Sequence, residues 1–490
     1  MFNSLGRRVE DFVSREPGQV GMYSCGPTVY SYQHIGNMRA YVFADTLKRT
    51  LRWRGYDVRH VINITDVGHL LADADQGEDK VEQASIREGR SVDEITGHYT
   101  SVFWDDLAAL NVIAPDVWPK ASTYVRQMID FAAVLADRDA AYAVPQGLYF
   151  DTAGQPGYGA LAGIDTAGQR STGRAEEVEG RRSASDFALW RTFTDDRQRL
   201  MQWESPWGIG APGWHLECSV MSIALLGDHF DIHTGGVDHR ELHHVNEIAQ
   251  SEAYLDDGEP WVRYWMHNEF LNFKDAKMAK SAGPVLRLAD LAERGVHPLA
   301  FRYLLLQSHY RSQIEFSEPS ASAATVSLKR LAARVRSALG AHAGSPSLRS
   351  PITVSEALDA AGSSDLLRER LLVLDAAVAE DLMTPSLVAA VQTWTPASLP
   401  PDEWAIVVRA VNTLTGLDLG ILDAVDFAPP LPSHVDRAWV EERVAARDQA
   451  RAAKDWAAAD QVRAELTESG IRVEDTPDGT HWYAVTAPHP

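Results

Sequence analysis

The sequence is short of the features that define several protein classes. It has only two cysteines, Cys25 and Cys218, in 490 residues, which excludes a disulfide scaffold and indicates a reducing compartment. No uncharged apolar run approaches the roughly 20 residues that span a bilayer. The segment at 1–18 lacks the apolar core of a secretory signal. We therefore expect a cytoplasmic protein with no membrane association.

Positive charge is also scarce. The chain has 46 Lys and Arg against 68 Asp and Glu, for a formal net charge of -22. Because like charge repels phosphate, this charge argues against general affinity for nucleic acid, and any RNA contact has to be local. Apolar sequence, by contrast, is plentiful. At 45% hydrophobic residues, the composition suits about two to four folded domains with at least one large core.

The first 70 residues predict an α/β fold. An apolar run at Val20–Tyr23 is followed by a break at Gly26 and Pro27, a helix over 36–53 and a β-rich run over 58–65. This order is a βαβ unit. It predicts a doubly wound parallel sheet of the Rossmann-like kind.

Composition divides the chain into three predicted parts. We expect an α/β catalytic domain over 1–317, with an insertion around 70–185. Beyond Ser317, long segments rich in Ala, Leu, Arg and Glu are separated by Pro-rich breaks. This pattern predicts a helical bundle over 318–430 and a small C-terminal unit over 431–490.

Two separate segments have chemistry suited to polyphosphate. In CGPTVYSYQHIGN, His34 and Gly36 precede a helix whose free N–H groups and dipole favour phosphate. About 240 residues later, KDAKMAKSAG places Lys277 and Lys280 in a polar stretch that can bring cations to phosphate charge. Each segment alone could be structural, a turn or a solvated loop. In this order, the pair resembles the HIGH and KMSKS signatures of class I aminoacyl-tRNA synthetases.

A third group of residues has the chemistry of a metal site. Cys25 precedes the HIGN segment, Cys218 lies in GWHLECS, and His243 and Glu247 are four apart in HHVNE, on one face of a predicted helix. His244 would point about 100° away. Spacing alone leaves the ligands open, and the cysteines could instead be small buried residues. Other histidines also lie near in sequence: His215, His229, His233 and His239.

Together these segments resemble the cysteinyl-tRNA synthetases over almost the whole chain. The resemblance runs from CGPTVYSYQHIGN through NITDV, DFALW, GWHLECS, DIHTGGVDH, LHHVNE and KMAKS to ARAAKDWAAADQVRAEL. It implies one zinc ion per chain, held at the family's motif positions: Cys25, Cys218, His243 and Glu247. It favours His243 over His239 and His244. Zinc can add a substrate thiolate as a ligand, whereas a serine hydroxyl is harder and stays protonated.

The same resemblance implies roles for the other motif residues. His34, Lys277 and Lys280 would be catalytic through positioning and charge stabilisation, with Mg²⁺ accompanying ATP. The ATP site would combine these three with further motif residues: Gly36, Asn37 and Ser281. The pocket for substrate cysteine would be lined by five residues: Gly26, Thr65, Trp214, His233 and Asp238.

Two motif positions depart from the family pattern. Asn37 stands where HIGH has its second histidine, and Ala279 replaces the first serine of KMSKS. Asn37 can still donate a hydrogen bond and both lysines remain. We expect these changes to affect adenylate formation only modestly, which argues against an inactive relative.

The resemblance implies a cysteine–tRNA ligase that works as a monomer, with tRNA(Cys), ATP and L-cysteine as partners. The alternative is a cysteine ligase that acts on an amino sugar. Such enzymes share the catalytic core but generally lack a C-terminal tail like this one. The tail also carries a basic helical stripe, which predicts either RNA phosphate contact or a salt-bridged surface: Arg443, Arg447, Arg451 and Lys454.

Overall fold

The structure is a computed structural model that describes most of the chain in eight stretches: 1–67, 80–163, 178–193, 199–273, 286–427, 431, 435–476 and 479–484. The strands in these stretches are β1 (Phe2–Asn3), β2 (Arg8–Val9), β3 (Gln19–Ser24), β4 (Asp57–Ile62), β5 (Ala141–Val144), β6 (Gly147–Phe150), β7 (Phe187–Thr192), β8 (Gly210–Pro212), β9 (Phe230–Gly236), β10 (Val262–Asn268), β11 (Leu271–Phe273), β12 (Ile314–Phe316), β13 (Ile471–Thr476) and β14 (Gly479–Ala484).

The helices in the same stretches are α1 (Ile35–Trp53), α2 (Lys80–Glu88), α3 (Val92–Ala109), α4 (Val125–Asp137), α5 (Trp214–Leu226), α6 (Val237–Glu241), α7 (His243–Leu255), α8 (Leu288–Glu293), α9 (Pro298–Leu306), α10 (Glu318–Leu339), α11 (Val354–Ala360), α12 (Asp365–Ala379), α13 (Thr384–Thr393), α14 (Pro401–Thr415), α15 (Arg437–Ala452) and α16 (Trp456–Glu468). None of these helices is long and apolar enough to cross a membrane.

A four-stranded parallel sheet forms the centre of the α/β region, in the order β10-β9-β3-β4. The chain leaves β3, forms α1 and returns as β4 on one side of β3, while β9 and β10 lie on the other side. The predicted βαβ unit and parallel sheet are confirmed. The reversal of strand order between β4 and β9 makes β3 the topological switch point, where such sheets bind ligands.

The insertion after β4 adds α2, α3 and α4 and then an antiparallel sheet in the order β5-β6-β7-β8. Asp186 stabilises this sheet at the point where the chain re-enters it. Its fully buried carboxylate accepts hydrogen bonds from the Tyr142 hydroxyl at 2.6 Å and from the Thr152 hydroxyl at 2.8 Å. A buried carboxylate is tolerated here because its oxygens are satisfied.

The helices from α10 to α14 pack into a bundle whose apolar core is continuous with that of α1 and α3. The C-terminal α15, α16, β13 and β14 have a separate small core, which includes Val440, Val444 and Leu466.

The basic stripe on α15 is largely used inside this unit. Arg447 is only 5% exposed and forms two hydrogen bonds with Asp475, at 2.8 and 2.9 Å. Arg451 also pairs with Asp475, and Arg443 pairs with Glu442 at 2.9 Å. These three arginines are therefore paired in salt bridges within the unit, as the second of the two alternatives predicted.

A buried ion network joins α1 to the bundle. Asp45 on α1 accepts a hydrogen bond from Arg49 at 2.7 Å and pairs with Arg302 of α9, and these side chains are 1%, 7% and 0% exposed. The two arginines also donate to backbone carbonyls of Asn111 and Thr415, just beyond α3 and at the end of α14. Burial would raise the pKa of Asp45, but the charges of Arg49 and Arg302 lower it. Since every partner is satisfied, the network fixes α1 against both neighbours.

We expect Arg302→Leu to lower the free energy of unfolding by about 3–5 kcal/mol, because it leaves the Asp45 carboxylate buried with one counter-charge removed. The matched control is Arg294→Leu, which removes an exposed pair with Glu318 and should cost at most about 1 kcal/mol. Urea denaturation followed by the fluorescence of Trp53 and Trp404, both buried in the shared core, measures the difference. Equal shifts for the two variants would contradict a stabilising role for the network.

Candidate metal centre and nucleotide site

Three segments place four side chains together at the carboxyl ends of β3 and β9. Cys25 directly follows β3, Cys218 lies on the second turn of α5, and His243 and Glu247 lie on the first two turns of α7. One ligand atom from each of these residues lies within 4.8 Å of the others. All are buried except Cys25, which is partly exposed. The structure thus brings the four predicted metal ligands into one group.

One distance in this group matches tetrahedral zinc coordination, and another is shorter. Zn–S bonds of about 2.3 Å and Zn–N bonds of about 2.0 Å place the ligand atoms roughly 3.5 Å apart, and Cys218 Sγ lies 3.6 Å from His243 Nε2. Glu247 Oε1 lies 2.7 Å from the same nitrogen, yet it has no aligned hydrogen-bond partner among the described residues. Two thiols, an imidazole and a carboxylate form a donor set that suits zinc.

His215 determines which nitrogen of His243 faces the group. Its Nδ1 lies 2.9 Å from His243 Nδ1, which leaves His243 Nε2 directed toward Cys218 and Glu247. Trp214 stacks on the His243 ring with centroids 4.2 Å apart. Metal-binding histidines are commonly held through their second nitrogen in this way.

His244 does not point away from the group as predicted. Its Nε2 lies 3.2 Å from Cys25 Sγ, and a second set of ligand atoms, from Cys25, His233, His244 and Glu247, also lies within 4.8 Å. The side chains of His243 and His244 leave α7 in directions about 100° apart, as expected for neighbouring residues on a helix. Cys25 lies between the two rings, so both rings face its sulfur. Geometry alone therefore offers two overlapping ligand sets.

The charges of the group are strongly coupled. Burial opposes ionisation of His243, but the Glu247 carboxylate and the Cys25 sulfur raise the pKa of His243 to about 10. Burial likewise disfavours charge on Glu247, while His243 and His233 hold the pKa of its carboxyl well below the usual range. The hydrogen bond that Cys25 shares with Cys218 raises the pKa of the Cys218 thiol. Both thiols can ionise in this buried group only with added positive charge, which a bound cation would supply.

The predicted nucleotide site begins at the N-terminus of α1, where His34 is the N-cap. His34 Nδ1 accepts a hydrogen bond from the backbone N–H of Asn37, and the Asn37 side chain accepts one from the backbone N–H of His34, both at 3.1 Å. A Cβ at Gly36 would lie 2.9 Å from His34 Nδ1, so the ring is accommodated only because position 36 is glycine. Asn37 therefore completes a capping box that orients His34.

Three of the predicted pocket residues form hydrogen bonds with buried polar side chains, and one of these bonds reaches the metal group. The Gly26 N–H donates to Asn63 Oδ1 at 2.7 Å, and a Cβ at Gly26 would collide with the Asn63 carbonyl at 1.6 Å. The Thr65 hydroxyl donates to Glu217 at 3.0 Å. His233 Nε2 lies 2.8 Å from Glu247 Oε2.

The structure describes only some of the remaining predicted site residues. Trp214 covers His243 as noted above, and Asp238 is exposed on the first turn of α6. Lys277, Lys280 and Ser281 lie outside the described residues.

Sequence reasoning missed two buried polar residues that support the pocket. Asn63 is 1% exposed and also donates to the Thr65 hydroxyl at 3.0 Å. Glu217 is fully buried beside Cys218. Both lie in segments that the resemblance already included, NITDV and GWHLECS, but only the fold shows that their side chains point inward.

The sequence matches known families at both ends. Residues 11–326 match the family described as tRNA synthetases class I (C) catalytic domain, and residues 440–482 match the Cysteinyl-tRNA ligase anticodon binding domain. A Cysteine--tRNA ligase of Novosphingobium aromaticivorans is 45% identical, over 98% of this chain and 96% of that protein. A Cysteine--tRNA ligase of Zymomonas mobilis is 42% identical, over 98% and 97%. The chain belongs to the cysteine–tRNA ligase family.

Solved structures place the family's fold among the class I aminoacyl-tRNA synthetases. Mycobacterium tuberculosis methionyl-tRNA synthetase, solved with methionyl-adenylate, has a TM-score of 0.52 at 15% identity and covers 83% of this chain and 92% of its own. The Agrobacterium radiobacter LeuRS–tRNA–LeuAMS complex has a TM-score of 0.54 at 13% identity, with 85% and 87% covered. These likenesses concern the fold alone. They agree with the predicted α/β class and with a helical region after the sheet.

We expect Asn37→Ala to cost about 1 kcal/mol in stability through loss of the reciprocal side-chain bond of the capping box. It should also slow cysteine-dependent exchange of pyrophosphate into ATP by roughly 10- to 100-fold, because the backbone N–H of His34 loses the acceptor that fixes this residue at the start of α1. Asn37→Asp is the control, since it keeps the acceptor oxygen but adds a charge that repels ATP. It should retain stability while the KM for ATP rises. Full exchange activity in Asn37→Ala would contradict the orienting role.

Proposed function

We propose that this chain activates L-cysteine with ATP to form cysteinyl-adenylate and pyrophosphate, and then transfers the cysteinyl group to tRNA(Cys). The observation that carries the proposal is the grouping of Cys25, Cys218, His243 and Glu247 at the switch point of the sheet. The capped N-terminus of α1 follows the same strand, β3. An amino-acid side-chain site next to a polyphosphate site is what adenylate formation requires.

Recognition of the substrate thiol is assigned to this group. When bound, zinc supplies a soft Lewis acid that takes a thiolate in preference to a hydroxyl. The chain holds the anionic ligands in a buried site, Trp214 covers His243, and the Asn63 side chain fixes the Cys25–Gly26 turn beneath the pocket. Since packing alone separates small side chains poorly, this chemistry gives selection of cysteine over serine without an editing site.

Activation is assigned to groups that bind and neutralise phosphate. His34 Nδ1 is bonded to the Asn37 backbone at the N-terminus of α1, where helix N–H groups also favour phosphate. We propose that Lys277 and Lys280 stabilise the charge that develops on the phosphates, with Ser281 in the ATP site and Mg²⁺ accompanying ATP. The pocket for cysteine would comprise five residues: Gly26, Thr65, Trp214, His233 and Asp238.

The C-terminal unit favours tRNA over an amino sugar as acceptor. Residues 440–482 match an anticodon binding domain, and α15 to β14 fold around a core of their own. We propose domain limits of 1–317, 318–430 and 431–490, with a monomeric protein in the cytoplasm.

The function is tested by two assays on the purified enzyme, cysteine-dependent exchange of pyrophosphate into ATP and charging of tRNA with labelled cysteine. We expect both activities. Exchange without charging of any tRNA would point to another acceptor, and absence of both would overturn the proposal.

We expect Cys218→Ala to lose bound zinc and to reduce cysteine-dependent exchange by at least about 100-fold, because one of the two thiolate ligands is removed. Zinc content is measured by elemental analysis of the purified protein, alongside the exchange rate. Ser222→Ala, one turn further along α5 and equally buried, serves as the control and should keep both. Full metal content in Cys218→Ala would exclude this ligand set.

A further inference from the structure

Three buried side chains form a chain of hydrogen bonds that ends on Cys25. Ser4 Oγ lies 2.8 Å from His267 Nδ1, His267 Nε2 lies 2.8 Å from His244 Nδ1, and His244 Nε2 lies 3.2 Å from Cys25 Sγ. Ser4 and His267 are 5% exposed and His244 is fully buried. We call Ser4, His267 and His244 the relay. It connects the N-terminal segment, strand β10 and helix α7 to one sulfur atom.

The positions of the protons in the relay follow from counting donors. A neutral imidazole donates through one nitrogen and accepts through the other, and two ring nitrogens 2.8 Å apart share a single proton. Cys25, once it binds a metal, is a thiolate with no proton to give. His244 Nε2 therefore donates to Cys25, His267 Nε2 donates to His244 Nδ1, and the Ser4 hydroxyl donates to His267 Nδ1.

We propose that the relay holds a hydrogen bond on the Cys25 thiolate, and that His244 is a positioning residue rather than a metal ligand. This inference rests on the proposed metal site and deepens it. It distinguishes the two overlapping ligand sets, because a His244 nitrogen that gives its proton to Cys25 has no lone pair for an ion. His243 faces the opposite situation, since its Nδ1 contacts His215 and its Nε2 is left for the metal.

The hydrogen bond has a chemical consequence for the site. A donor on a thiolate withdraws electron density from the sulfur, so a metal bound to Cys25 remains a better acceptor for a further thiolate. It also prevents Cys25 from turning out of the group, which matters because Cys25 is the one partly exposed ligand. Loss of such a supporting contact usually weakens metal binding by about 10- to 100-fold.

A second buried serine–histidine pair lies next to the site but is not hydrogen-bonded to the Cys25 sulfur. Ser24 and His60 are also buried, with Ser24 Oγ 2.9 Å from His60 Nε2, and Ser24 directly precedes Cys25 in the chain. The Ser24 hydroxyl contacts His60 and Thr234, at 2.9 and 2.6 Å, rather than the Cys25 sulfur. Ser24→Ala therefore controls for removal of a buried hydroxyl next to the site.

The test compares His244→Leu, which removes the donor, with His244→Gln, whose amide keeps a donor near the Nε2 position. Zinc affinity of each full-length enzyme is measured by competition with a chelator. Cobalt(II) replaces zinc to report the energy of the thiolate-to-metal charge-transfer band. We expect His244→Leu to bind zinc 10- to 100-fold more weakly and to shift the band to lower energy. His244→Gln should stay within about threefold of the parent, and Ser4→Ala should show a smaller loss of the same kind.

The other outcomes would contradict the proposed role of the relay. Equal and complete loss of metal in His244→Leu and His244→Gln, with a changed cobalt ligand field, would make His244 a direct ligand. Unchanged zinc affinity in His244→Leu, or losses in Ser24→Ala as large as in Ser4→Ala, would make the contacts merely structural. A parent enzyme that binds no zinc would instead refute the proposed metal site, so the two failures are distinguishable.

Discussion

The site depends on the burial of ionisable ligands at one end of a parallel sheet. Two thiols, a carboxylate and several imidazoles lie where β3, β9, α5 and α7 meet, in a region where an unpaired charge is costly. The fold tolerates them because they share protons with one another and form a donor set for a cation. His215 contacts the His243 ring, and Asn63 accepts a hydrogen bond from the backbone of the Cys25–Gly26 turn. These contacts hold the ligands in a fixed arrangement. A cluster of this kind is costly as structure alone but well suited to binding a cation.

Local sequence patterns predicted much of the fold. The alternation of an apolar run, a glycine break and an amphipathic stretch predicted α1 over 36–53, and the structure has it at Ile35–Trp53. Asn37 shows the limit of motif reasoning. The motif comparison marks it as a departure from a signature, but its side chain closes a capping box on His34, a local role that the spacing of three residues fits.

Contacts between distant segments could not be predicted from one sequence. The relay joins residues 4, 25, 244 and 267, and the network on Asp45 joins α1, α9 and α14. Helical spacing correctly separated His243 from His244 by angle, but it could not show that Cys25 lies between them. The stripe on α15 was ambiguous for a similar reason, because Asp475, which binds Arg447 and Arg451, comes from a hairpin some 25 residues later.

Helix α1 connects these features. Its N-terminus carries His34, its middle carries Asp45 and Arg49, and one of its apolar faces belongs to the same core as the helical bundle. A displacement of the bundle would therefore act on the Asp45 network, whose charges cannot separate without leaving one buried and uncompensated. Because α1 begins directly after His34, the packing around Asp45 and Arg49 also constrains where His34 lies.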